Sequence, residues 1–353
     1  MSSCACSAGA VAGGCCGPRS GSVRGEWSLA DWLGALSVRC NVGRMDYRVA
    51  PGLYSIGCPT PEAPVFVTAN YKLSFDHLRR ALRGLDAWLL VLDTQGVNVW
   101  CAAGKGTFST EELVRRIEAT GLAGVVSHRR LILPQLGAVG VAAHRVAEAT
   151  GFTVVYGPVR AADIPAWLKA GRRKDAAMRT VGFPLWDRLV LVPVEIANGR
   201  MHLLVMAALA FGLGLLRSRG VNAELAGTFA GYLVQLAGAA LAACVLVPAL
   251  LPWLPTRSFS IKGATVGLAL TAVLAGLAAL HAAAGFWSVF QGGWAIAGSA
   301  LAGGAIAAYV GLNFTGATVF TSQSGTVLET RRALPLIGAA AVAGLVCQIV
   351  GAF

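Results

Sequence analysis

Short apolar runs alternate with helical patterns between about residues 45 and 198, and beyond about Arg200 the chain becomes long stretches of Ala, Leu, Val and Gly with almost no charge. The runs are PVFVTAN (64–70), WLLVLD (88–93), GVVS (124–127), TVVY (153–156) and RLVLVPVE (188–195). Their length and β-branched content predict buried strands. Between them, apolar positions recur at helical spacing over 74–83, 110–120, 138–150 and 162–170. The second of these has both boundaries marked: Ser109 followed by Glu112 reads as a capping box, and Gly121 as a stop. Strand–helix alternation predicts an α/β, Rossmann-like domain, a parallel sheet covered by helices. In such sheets ligands bind beyond the carboxyl ends of the strands. By this reading those ends carry Thr68 and Asn70, then residues 93–96, 127–129 and 156–160.

The remainder predicts an all-α transmembrane domain of five helices, at about 201–216, 228–251, 263–284, 293–312 and 334–353. Each is close to the ~20 residues that cross a hydrocarbon core. With the first domain cytoplasmic, the inner loops hold Arg257, Lys262, Arg331 and Arg332, and the flank before Arg200 is also basic, which fits the positive-inside rule. The expected location is therefore the cell membrane, multi-pass. No span has an acid or base at its centre, which favours an anchor or packing scaffold over a transporter or pump. His202, His281 and Gln348 are polar exceptions and read as interfacial or interhelical contacts. Gly263, Gly267, Gly298 and Ala302 suggest close helix packing.

Composition agrees with this division. Hydrophobic residues make up 56% of the 353 and charged residues 13%, too apolar for a soluble protein of this size. The net charge of +12 is explained by basic flanks such as Arg172, Arg173, Lys174, Arg179 and Arg188. Without an aromatic–basic stripe, nucleic acid is not an expected partner. Residues 1–44 form a Cys/Gly-rich tail and lead-in, of which the first 25 or so are expected to be disordered. No signal peptide is evident, so the 45–200 domain should stay in a reducing cytoplasm, and the nine cysteines are not a disulfide framework. Cys40, Cys58, Cys244 and Cys347 read as buried thiols.

The segment Asn98-Val-Trp-Cys-Ala-Ala-Gly-Lys105, followed by Gly106-Thr-Phe, carries the chemistry. It is not a phosphate-binding loop, because Val99 stands at the first glycine position and Gly106 replaces Ser or Thr. GxGxxG is absent from the domain, and no zinc spacing occurs. A free cysteine alone is most often a core thiol, but Cys101 lies just ahead of a helix amino end, where the backbone dipole favours an anionic sulfur. Lys105 could assist if the intervening segment is helical. Small Ala102, Ala103 and Gly104 would let a flat, bulky ligand approach the backbone.

NVWCAAGKGTF resembles the signature of the corrinoid protein of the mercury-methylating pair of bacteria and archaea. The resemblance continues through residues 125–144, 151–165 and 187–195, and the domain is similar to the corrinoid domain of the corrinoid iron–sulfur protein of the acetyl-CoA pathway. It implies a cobalamin-type corrinoid over the sheet's carboxyl end, with Cys101 as the cobalt ligand on the lower face and Thr68 beneath the metal. The helix after Cys101 would cap that face. Asn98, Ala102 and Gly104 would lie closest, Asn98 orienting the sulfur, with Asn70, Trp100, Ala103 and Lys105 nearby. His128, Arg129, Gln135, Tyr156, Gly157, Pro158 and Arg160 would meet the ring's side chains or tail. The histidine motif D-x-H-x-x-G of methionine-synthase-type domains is absent, since His77 follows Asp76 directly. The implied activity is a corrinoid-dependent methyltransferase that moves a methyl group from Cys-ligated cobalt to mercury(II), forming methylmercury. A thiolate donor would push electron density toward the opposite ligand, as it does on haem iron.

The chain has no iron–sulfur ligand spacing of its own. The resemblance therefore implies a ferredoxin-like partner with two [4Fe–4S] clusters and an upstream methyltransferase, besides membrane lipid. Cys4, Cys6, Cys15 and Cys16 depart from the family pattern. They read either as a mercury(II) capture site or as a dispensable tail. Two other functions stay open: a membrane-bound corrinoid methyl carrier with a different acceptor, and a cobalamin-binding transport or sensor component.

Overall fold

The computed structural model describes residues 19–315, 318 and 320–353, so Cys4, Cys6, Cys15 and Cys16 lie outside the described residues. Two units emerge: one holds the residues up to Val38 and Val42–Gly182, the other Arg39–Asn41 and Phe183–Phe353. The division falls at Gly182 rather than at 200. RLVLVPVE is the reason, being two short helices instead of a strand. Phe183 and Leu191 pack in an apolar cluster of the second unit, and Arg188 Nη1 donates to the carbonyls of Pro248 and Ala249.

The first unit runs β1 (Arg19–Val23), α1 (Leu29–Arg39), β2 (Gly52–Ile56), β3 (Val65–Ala69), α2 (Lys72–Ala81), β4 (Ala87–Leu92), α3 (Val99–Lys105), α4 (Thr110–Ala119), α5 (Leu122–Val125), β5 (Arg130–Leu133), α6 (Ala143–Thr150), β6 (Thr153–Tyr156) and α7 (Ile164–Lys169). Its six-stranded sheet has the order β1-β2-β4-β3-β5-β6. β3, β4, β5 and β6 are mutually parallel, as expected, but β2 pairs antiparallel with β4, so the sheet is mixed. β1 pairs parallel with β2 inside the stretch expected to be disordered. An edge strand is held by main-chain bonds and needs little apolar surface, so a hydropathy reading passes over it. Side chains alternate between two cores. Val65, Val67, Leu90, Leu92, Leu131 and Leu133 pack with residues of α3, α4 and α6, while Phe66, Leu89, Val91 and Ile132 pack with α2 and α7.

GVVS is not a strand. Gly121 takes a left-handed conformation (φ 58°) and starts α5, and the strand is the next apolar run, Arg130–Leu133, which Pro134 follows. Residues 127–129 thus precede β5 and sit at its amino end. The helix expected over 138–150 starts only at Ala143.

The second unit continues with α8 (Leu185–Leu189), α9 (Val192–Asn198), α10 (Arg200–Arg217), α11 (Leu225–Ala249), α12 (Phe259–Ala278), α13 (Gly285–Ser288), α14 (Gly293–Phe314) and α15 (Gln323–Val350). Among the described residues, α10, α11, α12, α14 and α15 are long and apolar enough to cross a membrane by length and composition. α15 begins eleven residues before the expected 334, capped where Ser322 accepts the Gly325 N–H. Backbones approach closely: a Cβ on Gly263 or Gly267 would lie 2.0 or 2.3 Å from the carbonyl oxygens of Ala307 or Gly303. Gln348 Nε2 donates to Ala295 O (3.2 Å) and Ser299 Oγ (2.8 Å), the interhelical contact expected of it.

Candidate functional site

The turn after β4 sets the position of α3. Thr94–Val97 closes with Val97 N–H on Thr94 O, and Gln95 and Gly96 both have positive φ (57° and 74°), the type I′ geometry. Asn70, 2% exposed, clamps this turn: its Oδ1 accepts the N–H groups of Thr94 (3.1 Å) and Gly96 (2.9 Å), and its Nδ2 donates to Asp93 (3.1 Å). Glu112 ties the same loop to α4 by accepting the Asp93 N–H at 2.8 Å and bonding Arg115 and Arg116. The expected capping box is therefore half used. Ser109 caps Glu112 N–H, while the Glu112 carboxylate turns to Asp93.

Cys101 lies within the first turn of α3 rather than ahead of a helix. Asn98 is the N-cap: its Oδ1 accepts the Cys101 N–H (3.0 Å) and its Nδ2 donates to Cys101 Sγ (3.4 Å). One side chain thus fixes both the helix start and the sulfur. The sulfur is exposed. α3 has only seven residues, so its dipole is weaker support than Asn98 itself. Gly106, left-handed at φ 77°, closes the helix. Ala102 and Ala103 face the core instead of the surface, and Gly104 and Lys105 are exposed. The inward alanines let the loop after β5 press on α3: a Cβ on Gly140 would stand 2.0 Å from Phe108 O and 3.1 Å from Ala103 Cα.

Beside α3 a cleft of about 400 Å³ opens at the carboxyl ends of β3, β5 and β6, a size usual for cofactor sites. Its lining joins Thr68, Asn98, Trp100, Gly157 and Pro158, five of the residues singled out in the sequence. Trp100 is 48% exposed there. Other expected contacts are committed elsewhere. Asn70 has its polar atoms used in the turn. His128 and Arg129 sit at the amino end of β5, where His128 Nε2 contacts Ala63 O and Arg129 bonds the carbonyls of Ala123 and Val126. The error follows from taking GVVS as the strand. The Tyr156 hydroxyl donates to Val141 O (2.8 Å), and burial pushes its pKa up. Arg160 donates to Gly182 O. Gln135 accepts from Lys174 Nζ, which also reaches Gly157 O (3.3 Å), and burial, then Arg179, push the Lys174 ammonium down.

Ser74, His77 and Leu78 of α2 also line the cleft and were not foreseen. Their i, i+3, i+4 spacing puts them on one helix face, which was the available signal. Cys40 and Cys58, expected to be buried, are exposed, and Cys244 and Cys347 are half-buried. No group of three or more His, Cys, Asp or Glu that could hold a metal ion occurs among the described residues.

The family model of the CO dehydrogenase/acetyl-CoA synthase delta subunit matches residues 34–168. The chain is similar to the acetyl-CoA decarbonylase/synthase complex subunit gamma of Archaeoglobus fulgidus, 35% identical over 128 residues (36% of this chain, 27% of the relative). The corresponding subunit of Methanocaldococcus jannaschii is 38% identical over 116 residues (32% and 23%). The corrinoid/iron-sulfur protein large subunit of Moorella thermoacetica is 31% identical over 125 residues (35% and 28%). The chain spans about a quarter of the length of these curated relatives.

Proposed function

We propose that this chain is a membrane-bound, corrinoid-dependent methyltransferase whose acceptor is mercury(II), with Cys101 as the lower ligand to cobalt. The observation that carries the reading is the Asn98–Cys101 pair beside the cleft at the strand ends. The donor set fits the group. The exposed soft sulfur of Cys101 would hold the cobalt, and the mainly apolar cleft beside it, with Thr68, Trp100, Gly157 and Pro158 in its lining, would receive the ring. When bound, the corrinoid supplies a cobalt centre able to accept a methyl group and give it up.

The chain's own residues set the conditions. Asn98 aims the sulfur and, by donating an N–H to it, moderates its electron donation. Asn70 and Glu112 hold the turn that places Asn98. Ala102 and Ala103, turned into the core, seat α3 and with it Cys101. Similarity to a corrinoid/iron-sulfur protein large subunit supports corrinoid binding. It equally supports a second reading, a methyl carrier whose acceptor is not mercury. The mercury acceptor rests on the NVWCAAGKGTF signature and on the five apolar helices. A cytoplasmic α/β unit anchored in the cell membrane, reduced by a ferredoxin-like partner with two [4Fe–4S] clusters and charged by a separate methyltransferase, belongs to the same proposal. A mercury-capturing role for Cys4, Cys6, Cys15 and Cys16 would show as slower methylation at low mercury when they are replaced by Ala, and unchanged rates would remove it.

The test uses the full chain reconstituted with cobalamin, as wild type and Cys101→Ala. A thiolate-type absorption spectrum that disappears in the variant, together with loss of methylmercury formation, is the expected outcome. An identical spectrum in both would refute cysteine ligation. Competition between mercury(II) and other methyl acceptors separates the two readings.

A further inference from the structure

The helix α1 is amphipathic the wrong way round for a free surface. Its acidic residue, Asp31, points inward and bonds Lys72 Nζ (2.6 Å) and Arg79 Nη2 (2.8 Å), and its buried apolar residues are the small Ala35 and Val38. The large apolar side chains face out: Leu29 is 75% exposed, Trp32 50%, Leu33 55% and Leu36 57%. Their spacing of i, i+3, i+4 and i+7 makes one continuous stripe, and Met45 in the following loop is 70% exposed as well. Such a stripe is not left to water without reason.

Its surroundings identify what covers it. The margins are cationic. The Arg80 guanidinium lies 5.3 Å from the Trp32 ring centre, Arg39 ends the helix, and Arg44 Nη1 donates to Val38 O at the same end. The one acid on the helix is neutralised on the opposite side. Asn41, two residues past the end of α1, donates to Asn198 Oδ1 (2.8 Å), and Asn198 comes two residues before α10, the first apolar helix. We infer that α1 lies in the interfacial layer of an anionic lipid bilayer, with Trp32, Leu33 and Leu36 inserted among acyl chains and Arg39, Arg44 and Arg80 at the headgroups. A Trp at the acyl–headgroup boundary and basic side chains above it are the usual arrangement of an interfacial helix. α1 would then be a second anchor, distinct from the apolar helices, fixing the α/β unit at the membrane surface.

The inference rests on the five apolar helices crossing a bilayer, and incorporation of the chain into lipid nanodiscs tests that separately. The full chain is placed in nanodiscs of brominated lipid with a varied anionic share, as wild type and Trp32→Phe, and tryptophan emission is compared. The wild-type-minus-variant difference isolates Trp32 among the nine tryptophans. The expected result is a component quenched by bromolipid, more strongly as the anionic share rises, shielded from aqueous acrylamide and lost in Trp32→Phe. A Trp32 component that bromolipid leaves unquenched and acrylamide quenches would overturn the inference and point to a protein partner for the stripe. Quenching indifferent to lipid charge would overturn the anionic assignment.

Discussion

Asn98 does two things that substitution can separate. As the N-cap it accepts the Cys101 N–H, and as a donor it reaches Cys101 Sγ. Asn98→Asp keeps the acceptor and removes the donor. It should leave stability within a few tenths of a kcal/mol, since Asp caps as well as Asn, yet shift the absorption of the cobalamin-loaded protein. Asn98→Ala loses both and should cost about 1 kcal/mol in denaturant unfolding. A spectrum insensitive to both changes would mean that the amide does not act on the sulfur. At this scale the sequence was informative about what is local. Asn98 and Cys101 are neighbours in one motif, but the short helix between Asn98 and Gly106 was not foreseen, because Cys101 was expected ahead of a helix rather than inside one. Asn70 was anticipated at the site but with another role, because its partners, Asp93, Thr94 and Gly96, are over twenty positions away and only the folded sheet brings them to it.

The elements around the cleft show the same divide. β3, β4 and β6 were legible because each is a short β-branched or leucine-rich run between turn residues. β1 was not, since RSGSV has a single apolar residue and owes its strand state to pairing at the sheet edge, and β2 was passed over although Leu53, Tyr54 and Ile56 of its five residues are buried. GVVS misled for the converse reason: propensity favoured a strand, but the left-handed Gly121 starts a short helix there and tertiary context overrode it. One close approach holds α3 against the loop after β5. Gly140→Ala would drive a methyl group into Phe108 O and toward Ala103. It should lower the stability of the α/β unit by about 2–3 kcal/mol and weaken cobalamin retention along with it, as measured by thermal unfolding and by dialysis of the loaded protein. Ala at Gly104, where an added Cβ meets nothing within 4 Å, should leave packing unchanged apart from a small gain in helix propensity, and serves as the control.

Across the whole chain, charge is used sparingly and in clusters. Asp31, Lys72, Asp76 and Arg79 form one network that joins α1 to α2. Burial alone would push the Asp31 carboxyl up, but hydrogen bonds from Lys72, Arg79 and Ser28 outweigh it and hold it well below the ordinary 3.8. A depressed carboxyl contributes stability that is complete above its unfolded value and is lost as pH falls through the folded one. The α1–α2 link should therefore persist through neutral pH and fail only on acidification well below pH 4. Asp31→Asn should cost about 2 kcal/mol at neutral pH, less than a fully buried pair because Lys72 stays partly wet, and should flatten the acid limb of a pH–stability curve. An unchanged acid limb would locate the acid sensitivity elsewhere. Division into an α/β unit and an apolar helical unit was plain from composition, while the position of the boundary was not, because RLVLVPVE has the hydropathy of a strand and the contacts of a helix.

The outward position of the Cys101 sulfur has a consequence for the order of assembly. A soft thiol open to solvent binds mercury(II) readily, so the acceptor proposed for the loaded protein is also a competitor for its empty form. Chain that meets mercury before corrinoid should be trapped and refuse cobalamin until a small-molecule thiol in excess strips the metal away. Chain loaded first should be immune at that position, with Cys40 and Cys58 still open to attack. Sequential addition in the two orders, read as cobalamin bound per chain, exposes the difference. In a cell such a protein would have to be charged with its cofactor before it encounters the metal.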